Sequence, residues 1–434
     1  HCGGQNSASC SAQEQLLRAG HQLSSSHLRF PCFLGKRAHL GVTGSVAAYR
    51  SIELLRLLVQ SQVSVGVSLT PSAQRFVGAD SFAALGATHV NTAMFGEGSG
   101  NDPFVHLSPG QKAGVLVIAP ATANILAKMA HGLADDLLST QALAFTGPVV
   151  VAPAMTRALW QAPATRRNWD TLLARGVLGV GPVAGEVACG DTGLGKLAPV
   201  EHILAETLRA LSPKDLAGRT VLLTLGPTRE SWDAVRYLSN SSSGLMGSCL
   251  AVAAWMRGAR VQVVSGPTGL ELPPGIEVTR VTTALEMHAA CQDLWPAADI
   301  GCCTAAVCDY RPLPPVGTAP GTKLKRRELP AGEVCIHLEE NPDILRALGA
   351  TKRADQTLIG FAAETTDLER HARQKLEEKR LDLIVANQVG VAGSGFECST
   401  NTVTVLDRTG RSEQWPELPK TEVAWRVWDL LQHL

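Results

Sequence analysis

Aromatic residues make up only 5% of this 434-residue chain, and Lys plus Arg balance Asp plus Glu at 39 each. A formal net charge of zero removes any electrostatic case for nucleic acid or an anionic membrane as partner. No apolar run approaches the roughly 18 residues that a bilayer-crossing helix needs. The eleven cysteines form no CxxC pair and keep no regular spacing with histidine. Neither a zinc site nor a disulfide framework is therefore indicated, and a reducing, cytoplasmic compartment is expected. No GxGxxG follows the first apolar strand, which makes a nicotinamide dinucleotide the poorer choice of ligand. Internal repeats and long low-complexity segments are also missing.

What is present is 45% hydrophobic residues and 41 glycines, the composition of an α/β protein whose short apolar strands are covered on both faces by helices. The length exceeds one ordinary core, so two domains are expected. Residues 1–37 are rich in Ser, Gln and His, begin with His1 and lack the apolar core of a signal peptide; they read as a disordered extension or a gene-boundary artefact. A βα rhythm then runs through residues 38–211, with strands at His39–Thr43, Val63–Leu69, Val115–Ala119 and Val149–Ala152. The segment Ser212–Gly218, SPKDLAG, interrupts it and reads as a linker. A second series spans 219–434, with strands at Thr220–Leu225, Arg260–Ser265, Ile300–Thr304, Leu358–Phe361, Leu383–Ala386 and Thr402–Leu406. Two Rossmann-like parallel-sheet domains are the expected architecture, the first of flavodoxin type.

In the first domain, Gly44 and Ser45 join a strand to a helix, where free N–H groups suit a phosphate, although a plain helix cap explains Ser45 equally well. Thr122 and Asn124 follow the next core strand, at the edge where open α/β sheets bind ligands. Asp135–Thr140, DDLLST, adds the hydroxyls of Ser139 and Thr140. Gly185–Lys196, GEVACGDTGLGK, sets Cys189 in a loop with four glycines that can fold over a ligand. Together with GVTGSVAAYR, VLVIAPATAN and VAPAMTRALW, in this order, the segment resembles the flavin-dependent cysteine decarboxylases of coenzyme A biosynthesis. The resemblance implies FMN cradled by Gly44, Ser45, Thr122, Asn124, Ser139 and Thr140. It implies His106 as the catalytic histidine and Cys189 as the acid that protonates an ene-thiolate, after thiol oxidation to a thioaldehyde and loss of the carboxylate. Two positions depart from the family wording. Thr156 stands where Pro-Ala-Met-Asn carries the asparagine that grips the substrate carboxylate, and a hydroxyl cannot reproduce a two-donor amide. Lys196 replaces an arginine, a point charge for a planar fork.

The second domain carries GPTRESWDAVRYLSNSSSGLMG (Gly226–Gly247), AAVCDYRP (Ala305–Pro312), GTKLKRRE (Gly321–Glu328), NPDI (Asn341–Ile344) and GFAAET (Gly360–Thr365). Hydroxyls, a glycine and exposed N–H groups before a helix suit a phosphate, and Asp309 just past a strand end suits a nucleotide or Mg²⁺. Lys375 and Lys379, four apart, could share a helix face toward a triphosphate or belong to an ordinary exposed helix. This set resembles the phosphopantothenate–cysteine ligases. The resemblance implies Lys323 as the leading catalytic lysine, with Lys325 second and Arg326 where a lysine is usual. It implies Asn240 as a further catalytic residue, and Thr304, Ala305, Asp309, Asn341, Pro342, Asp343, Ile344, Phe361, Lys375 and Lys379 around the nucleotide, with Phe361 as a wall for the base. Leu245 replaces a lysine and Leu225 a small residue.

Both motif groups in one chain imply two activities. CTP and 4′-phosphopantothenate would give an acyl-cytidylate, the cysteine amine would displace CMP, and the product would be decarboxylated to 4′-phosphopantetheine. Family likeness implies a homo-oligomer, three-fold in the flavin half and dimeric in the ligase half. Other readings stay open: a working ligase fused to a silent flavin half, favoured by Thr156; a non-enzymatic flavoprotein regulator, opposed by Lys323, Asp309 and Asn240; and ATP in place of CTP.

Overall fold

A computed structural model describes residues 26–95, 104–186, 190, 192–313, 322–325, 335–364, 367–388 and 398–431. The chain divides into two compact units, Leu28–Pro213 and the portion from Lys214 onward together with residues 26 and 27. Part of the segment expected to be a disordered extension is folded. Phe30 and Phe33, seven and four residues ahead of the first strand at Arg37, are fully buried, because two large apolar side chains leave water with the core.

In Leu28–Pro213 the strands are β1 (Arg37–Val42), β2 (Ser64–Leu69), β3 (His89–Asn91), β4 (Val115–Ala121), β5 (Val149–Pro153) and β6 (Leu178–Gly179), followed by the hairpin β7 (Val183–Glu186) and β8 (Thr192–Lys196). The first six form one sheet in the order β3-β2-β1-β4-β5-β6, every pair parallel. All seven residues of β4 are buried, as a central parallel strand covered on both faces requires. Its Leu116 and Ile118 face a cluster with Ile125, Leu126, Trp160 and Trp169, following the two-residue period of a strand. The helix Val200–Leu211, which the motif reading left out, packs on β4 and β5 and against the helix Tyr49–Gln60. The latter buries Leu54, Leu55, Leu57 and Leu58.

From Lys214 onward come β9 (Thr220–Leu225), the short pair β10 (Arg229–Ser231) and β11 (Tyr237–Ser239), then β12 (Arg260–Ser265), β13 (Glu277–Arg280), β14 (Ile300–Cys303), the short pair β15 (Tyr310–Pro312) and β16 (Leu338–Glu340), β17 (Thr357–Glu364), β18 (Leu383–Gln388), β19 (Thr400–Asp407) and β20 (Ser412–Pro419). The main sheet runs β13-β12-β9-β14-β17-β18-β19-β20. Its first six strands are parallel, as expected, whereas β19 and β20 pair antiparallel. β19 and β20 form a hairpin turned by Arg408–Arg411, a connection too short for the helical crossover that a parallel pair needs. The helix Leu245–Met256 is apolar all round and buried nearly all round, since the helix Lys420–Leu430 covers the side turned from the sheet. Trp428, fully buried, donates its indole N–H to the Leu250 carbonyl at 3.0 Å.

In both sheets the strand order reverses once, between β1 and β4 and between β9 and β14, and the carboxyl edge at such a reversal is an open crevice.

Candidate active sites at the two strand-order reversals

At the first reversal Thr43 joins the two strand ends. Its hydroxyl donates to the Pro120 carbonyl at 2.7 Å and accepts from the Thr122 N–H at 3.0 Å. Gly44 must be a glycine, because a Cβ there would overlap the Cβ of Ser72 from the loop after β2. Ser45 caps the following turn, its Oγ accepting from the Ala47 N–H at 3.3 Å. Thr122 begins the helix Ala123–His131 without a side-chain cap, which leaves its hydroxyl and the first-turn N–H groups facing the crevice edge. Asn124, two residues on, is exposed.

Ser139 and Thr140 are placed differently from a simple ligand-facing pair. Ser139 is buried in a reciprocal cap in which its N–H donates to Asp136 Oδ1 at 2.9 Å and its Oγ accepts from the Asp136 N–H at 3.1 Å. The Thr140 hydroxyl donates to the Asp136 carbonyl at 2.8 Å. Lys128 holds both acids of this turn, at 2.6 Å from Asp135 and 2.5 Å from Asp136. Gln141, buried in the same helix, donates to the Val105 carbonyl at 2.9 Å and so ties down the turn that carries half-buried His106.

Thr156 follows β5, whose end lies beside that of β4 through the Ala154 N–H to Ala121 carbonyl bond at 3.0 Å. It begins a short helix with no side-chain cap, so its hydroxyl is not taken up there. The β7–β8 hairpin docks on this turn. The Met155 N–H donates to the Gly195 carbonyl at 2.9 Å, and a Cβ on Gly195 would overlap the Met155 carbonyl oxygen. The hairpin therefore brings the ends of the Cys189 loop to Thr156, while Cys189 itself lies outside the described residues. Lys196 is exposed and crosses β7 at Gly185, where a Cβ would stand 2.9 Å from its Cδ.

At the second reversal the crossing of β9 and the helix Leu245–Met256 is built on small residues. A Cβ on Gly247 would overlap Thr304 Oγ1. Leu225, the larger residue than the family wording predicts, is buried with its Cδ1 3.4 Å from where a Gly244 Cβ would lie. Leu245, where a lysine is usual, is buried as well. The Thr304 hydroxyl donates to the Thr224 carbonyl at 2.6 Å, and the Ala305 N–H donates to Thr224 Oγ1 at 3.3 Å. Asn240 spans to the next loop, its amide donating to the carbonyls of Ala306 at 3.2 Å and Val307 at 3.0 Å.

Asn341 is buried and fully engaged: its amide donates to the Cys308 carbonyl at 2.9 Å and accepts from Arg311 at 3.0 Å. Asp309 between them is exposed, and among the described residues its carboxylate has no hydrogen bond or ion pair. Pro342 is half-buried, and Asp343 caps the helix that begins with buried Ile344, accepting from the Arg346 N–H at 3.0 Å. Lys379 lies one residue past the helix Leu368–Glu378 and pairs with Asp343 at 2.8 Å. Burial raises the Asp343 carboxyl, but Lys379 and Arg346 outweigh it and hold the group below its ordinary value. Lys375 and Phe361 are half-buried.

Lys323 and Lys325 are exposed on either side of buried Leu324, and Arg326 lies outside the described residues. Asp233 and Arg236, which the motifs did not nominate, hold that leucine. The Leu324 N–H donates to Asp233 Oδ2 at 3.3 Å and its carbonyl accepts from Arg236 at 2.9 Å. Arg236 grips the same carboxylate and lies 4.2 Å over the Trp232 ring. Arg236 and the N–H groups of Val235, Arg236 and Leu324 hold the Asp233 carboxyl far below the usual carboxylate range. A carboxylate serving two segments 91 residues apart gives no local signal.

The flavoprotein family matches residues 33–212, and the C-terminal domain family of the DNA/pantothenate metabolism flavoproteins matches residues 216–434. The coenzyme A biosynthesis bifunctional protein CoaBC of Vibrio cholerae is 39% identical over 377 residues, covering 87% of this chain and 93% of the relative. Its Bacillus subtilis counterpart is 40% identical, covering 89% and 94%. A crystal structure of the C-terminal domain of a CoaBC protein aligns with 51% of this chain and 97% of its own at 37% identity and a TM-score of 0.42. With both units matched in order and nearly the full length of these relatives covered, this chain belongs to the family of coenzyme A biosynthesis bifunctional proteins.

Proposed function

We propose that this chain catalyses two successive steps of coenzyme A biosynthesis. The unit from Lys214 onward joins 4′-phosphopantothenate to cysteine, using CTP, through an acyl-cytidylate. The unit Leu28–Pro213 decarboxylates the resulting 4′-phosphopantothenoylcysteine to 4′-phosphopantetheine. The observation that carries this reading is 39% identity to a bifunctional relative across 87% of the chain, spanning both crevices. In this reading it acts on these small molecules in the cytoplasm as a homo-oligomer.

The first crevice fits FMN by its donors: the uncapped Thr122 turn and the Gly44–Ser45 turn offer hydroxyls and N–H groups at one sheet edge, and the first turn after each carries no acid. Bound there, FMN would accept two electrons from the substrate thiol, which makes the neighbouring carboxylate a leaving group, and would give them back after carbon dioxide is lost, so that the product is again a thiol. Ser45, Thr122 and the Ser139–Thr140 turn would hold it. His106 would move a proton at the thiol, the Thr156 hydroxyl would orient the carboxylate with one donor, and Cys189 would return a proton to carbon.

In the second crevice Lys323, kept in place by Leu324, would neutralise charge on the α-phosphate as the substrate carboxylate attacks. Asp309 fits Mg²⁺, because a single open carboxylate plus substrate phosphates is a common magnesium arrangement. Asn240 would order the loop facing the acyl group. Lys379 and Lys375 would lie toward the triphosphate.

The test is mass spectrometry of the FMN-loaded protein with 4′-phosphopantothenate, cysteine, CTP and Mg²⁺. Formation of 4′-phosphopantetheine is expected, and unchanged substrate would overturn the reading. Accumulation of 4′-phosphopantothenoylcysteine would favour the second reading, a ligase with an impaired flavin half, which rests on Thr156.

A further inference from the structure

Beside the second crevice, on the side of β9 away from β14, lies a cleft of about 670 Å³ at the carboxyl ends of β9, β12 and β13. Its lining includes Arg229 and Arg280, the hydroxyls of Ser242, Ser243 and Thr268, and no carboxylate. Among the described residues neither guanidinium is paired with an acid; Arg229 lies 4.8 Å over the Tyr237 ring. The backbone brings both arginines to the wall of one cleft. The Arg229 N–H donates to the Thr282 carbonyl at 2.8 Å, two residues past Arg280, and Arg280 is in register with Ser265.

The rest of the wall is also set in advance. Gly226-Pro227-Thr228 after β9 is repeated as Gly266-Pro267-Thr268 after β12, and the two turns stack so closely that a Cβ on Gly266 would overlap the Pro227 carbonyl oxygen. The Thr268 hydroxyl donates to the Ser243 carbonyl at 2.8 Å, fixing the second turn to the serine loop that leads into the helix Leu245–Met256. That helix adds the positive end of its dipole to the same edge.

We propose that this cleft is a phosphate subsite of the ligase, in which Arg229 and Arg280 bind a phosphate group of a substrate lying in the adjoining crevice. The inference rests on the ligase reading and names two residues beyond it. Two arginines with planar, bidentate donors in a cleft whose lining carries no acid suit a multiply charged phosphate better than a carboxylate or a metal. The reaction offers two sources. One is the pyrophosphate end of CTP, which leaves as pyrophosphate; the other is the phosphomonoester of 4′-phosphopantothenate.

The experiment uses the full chain as wild type, Arg280→Ala, Arg280→Lys and Arg229→Ala. Inorganic pyrophosphate binding is measured by calorimetry, and KM is measured separately for CTP and for 4′-phosphopantothenate. One charge-assisted contact is worth about ten-fold or more in affinity. If the pyrophosphate end is bound, pyrophosphate Kd and the KM for CTP rise by about that factor in the alanine variants, with partial recovery in Arg280→Lys. If the phosphomonoester is bound, only the KM for 4′-phosphopantothenate rises. Unchanged Kd and both KM values in Arg280→Ala and Arg229→Ala overturn the subsite. Arg280 is exposed, so its alanine variant is expected to fold, and a wild-type thermal melt checks this. Calorimetry needs no turnover, so arginine-dependent pyrophosphate binding without any ligation would separate a failed functional reading from a failed subsite.

Discussion

Thr156 is the residue at which this chain departs most from its family's wording, and its surroundings make the departure testable. Its hydroxyl is not used to cap the helix it begins, so replacing it by an asparagine amide breaks no cap. Thr156→Asn is expected to raise decarboxylation of supplied 4′-phosphopantothenoylcysteine by about ten-fold, the worth of one hydrogen bond to a charged group. An unchanged rate would mean that position 156 does not grip the carboxylate. His39, buried in β1, allows a second test at this scale. Its Nε2 shares a 2.8 Å hydrogen bond with the Ser68 hydroxyl, and Gln141 and His89 face it. Burial, with His89 adding repulsion, brings its pKa from 6.5 to about 3. The unfolded chain therefore takes up this proton first as pH falls. The stability His39 contributes is complete above pH 6.5 and is lost toward pH 3, by roughly 1.4 kcal/mol for each unit. His39→Gln should flatten that acid slope in denaturant titrations between pH 6.5 and 4.5; equal slopes would exclude His39 as its source.

Among the elements, the β7–β8 hairpin connects sequence to chemistry most directly. The twelve-residue glycine-rich run was readable as a loop around Cys189, but its role as a docked hairpin depends on Gly195 meeting the Met155 backbone, a contact 40 residues apart that no local pattern encodes. Gly195→Ala places a Cβ on that carbonyl oxygen. It should lower decarboxylation at least about ten-fold while leaving ligation intact, because a displacement of order 1 Å is enough to spoil a reacting geometry. Paired assays on the same preparation test this, and equal loss of both activities would point to general misfolding. Arg257, at the end of the helix Leu245–Met256, is the matching case for stability. It is 1% exposed, paired with Asp215 and Asp429, and donates to the Trp425 carbonyl at 3.2 Å. Arg257→Ala removes the cation that Asp215 and Asp429 share, while both acids keep access to water. It should destabilise the unit by about 2–3 kcal/mol, the worth of hydrogen bonds to charged groups, read as a lower urea midpoint.

At the scale of the molecule, two units with separate crevices imply separable activities. Lys323→Ala should abolish ligation and leave decarboxylation of supplied 4′-phosphopantothenoylcysteine unchanged, measured as two independent assays. Loss of both would mean that Lys323 serves more than the ligase. Among the described residues no helix is long and apolar enough to cross a membrane, which agrees with the interrupted apolar runs of the sequence.

The sequence by itself determined the α/β class, nearly every core strand and the family, because βα periodicity and short motifs at strand ends are local properties of the chain. It also singled out Asp309, Lys323 and Thr122 as candidate site residues. Only the tertiary structure decided which polar groups are already engaged: Ser139 in its cap, Thr304 on Thr224, Asn341 between Cys308 and Arg311. It likewise decided that Asp233 holds Leu324, that β19 and β20 run antiparallel, and that Arg229 and Arg280 share a cleft. Each of these depends on partners distant in the chain. A side chain's hydrogen-bonding capacity is written in its residue type, but what consumes that capacity is set by which segments the fold brings within 3 Å or so.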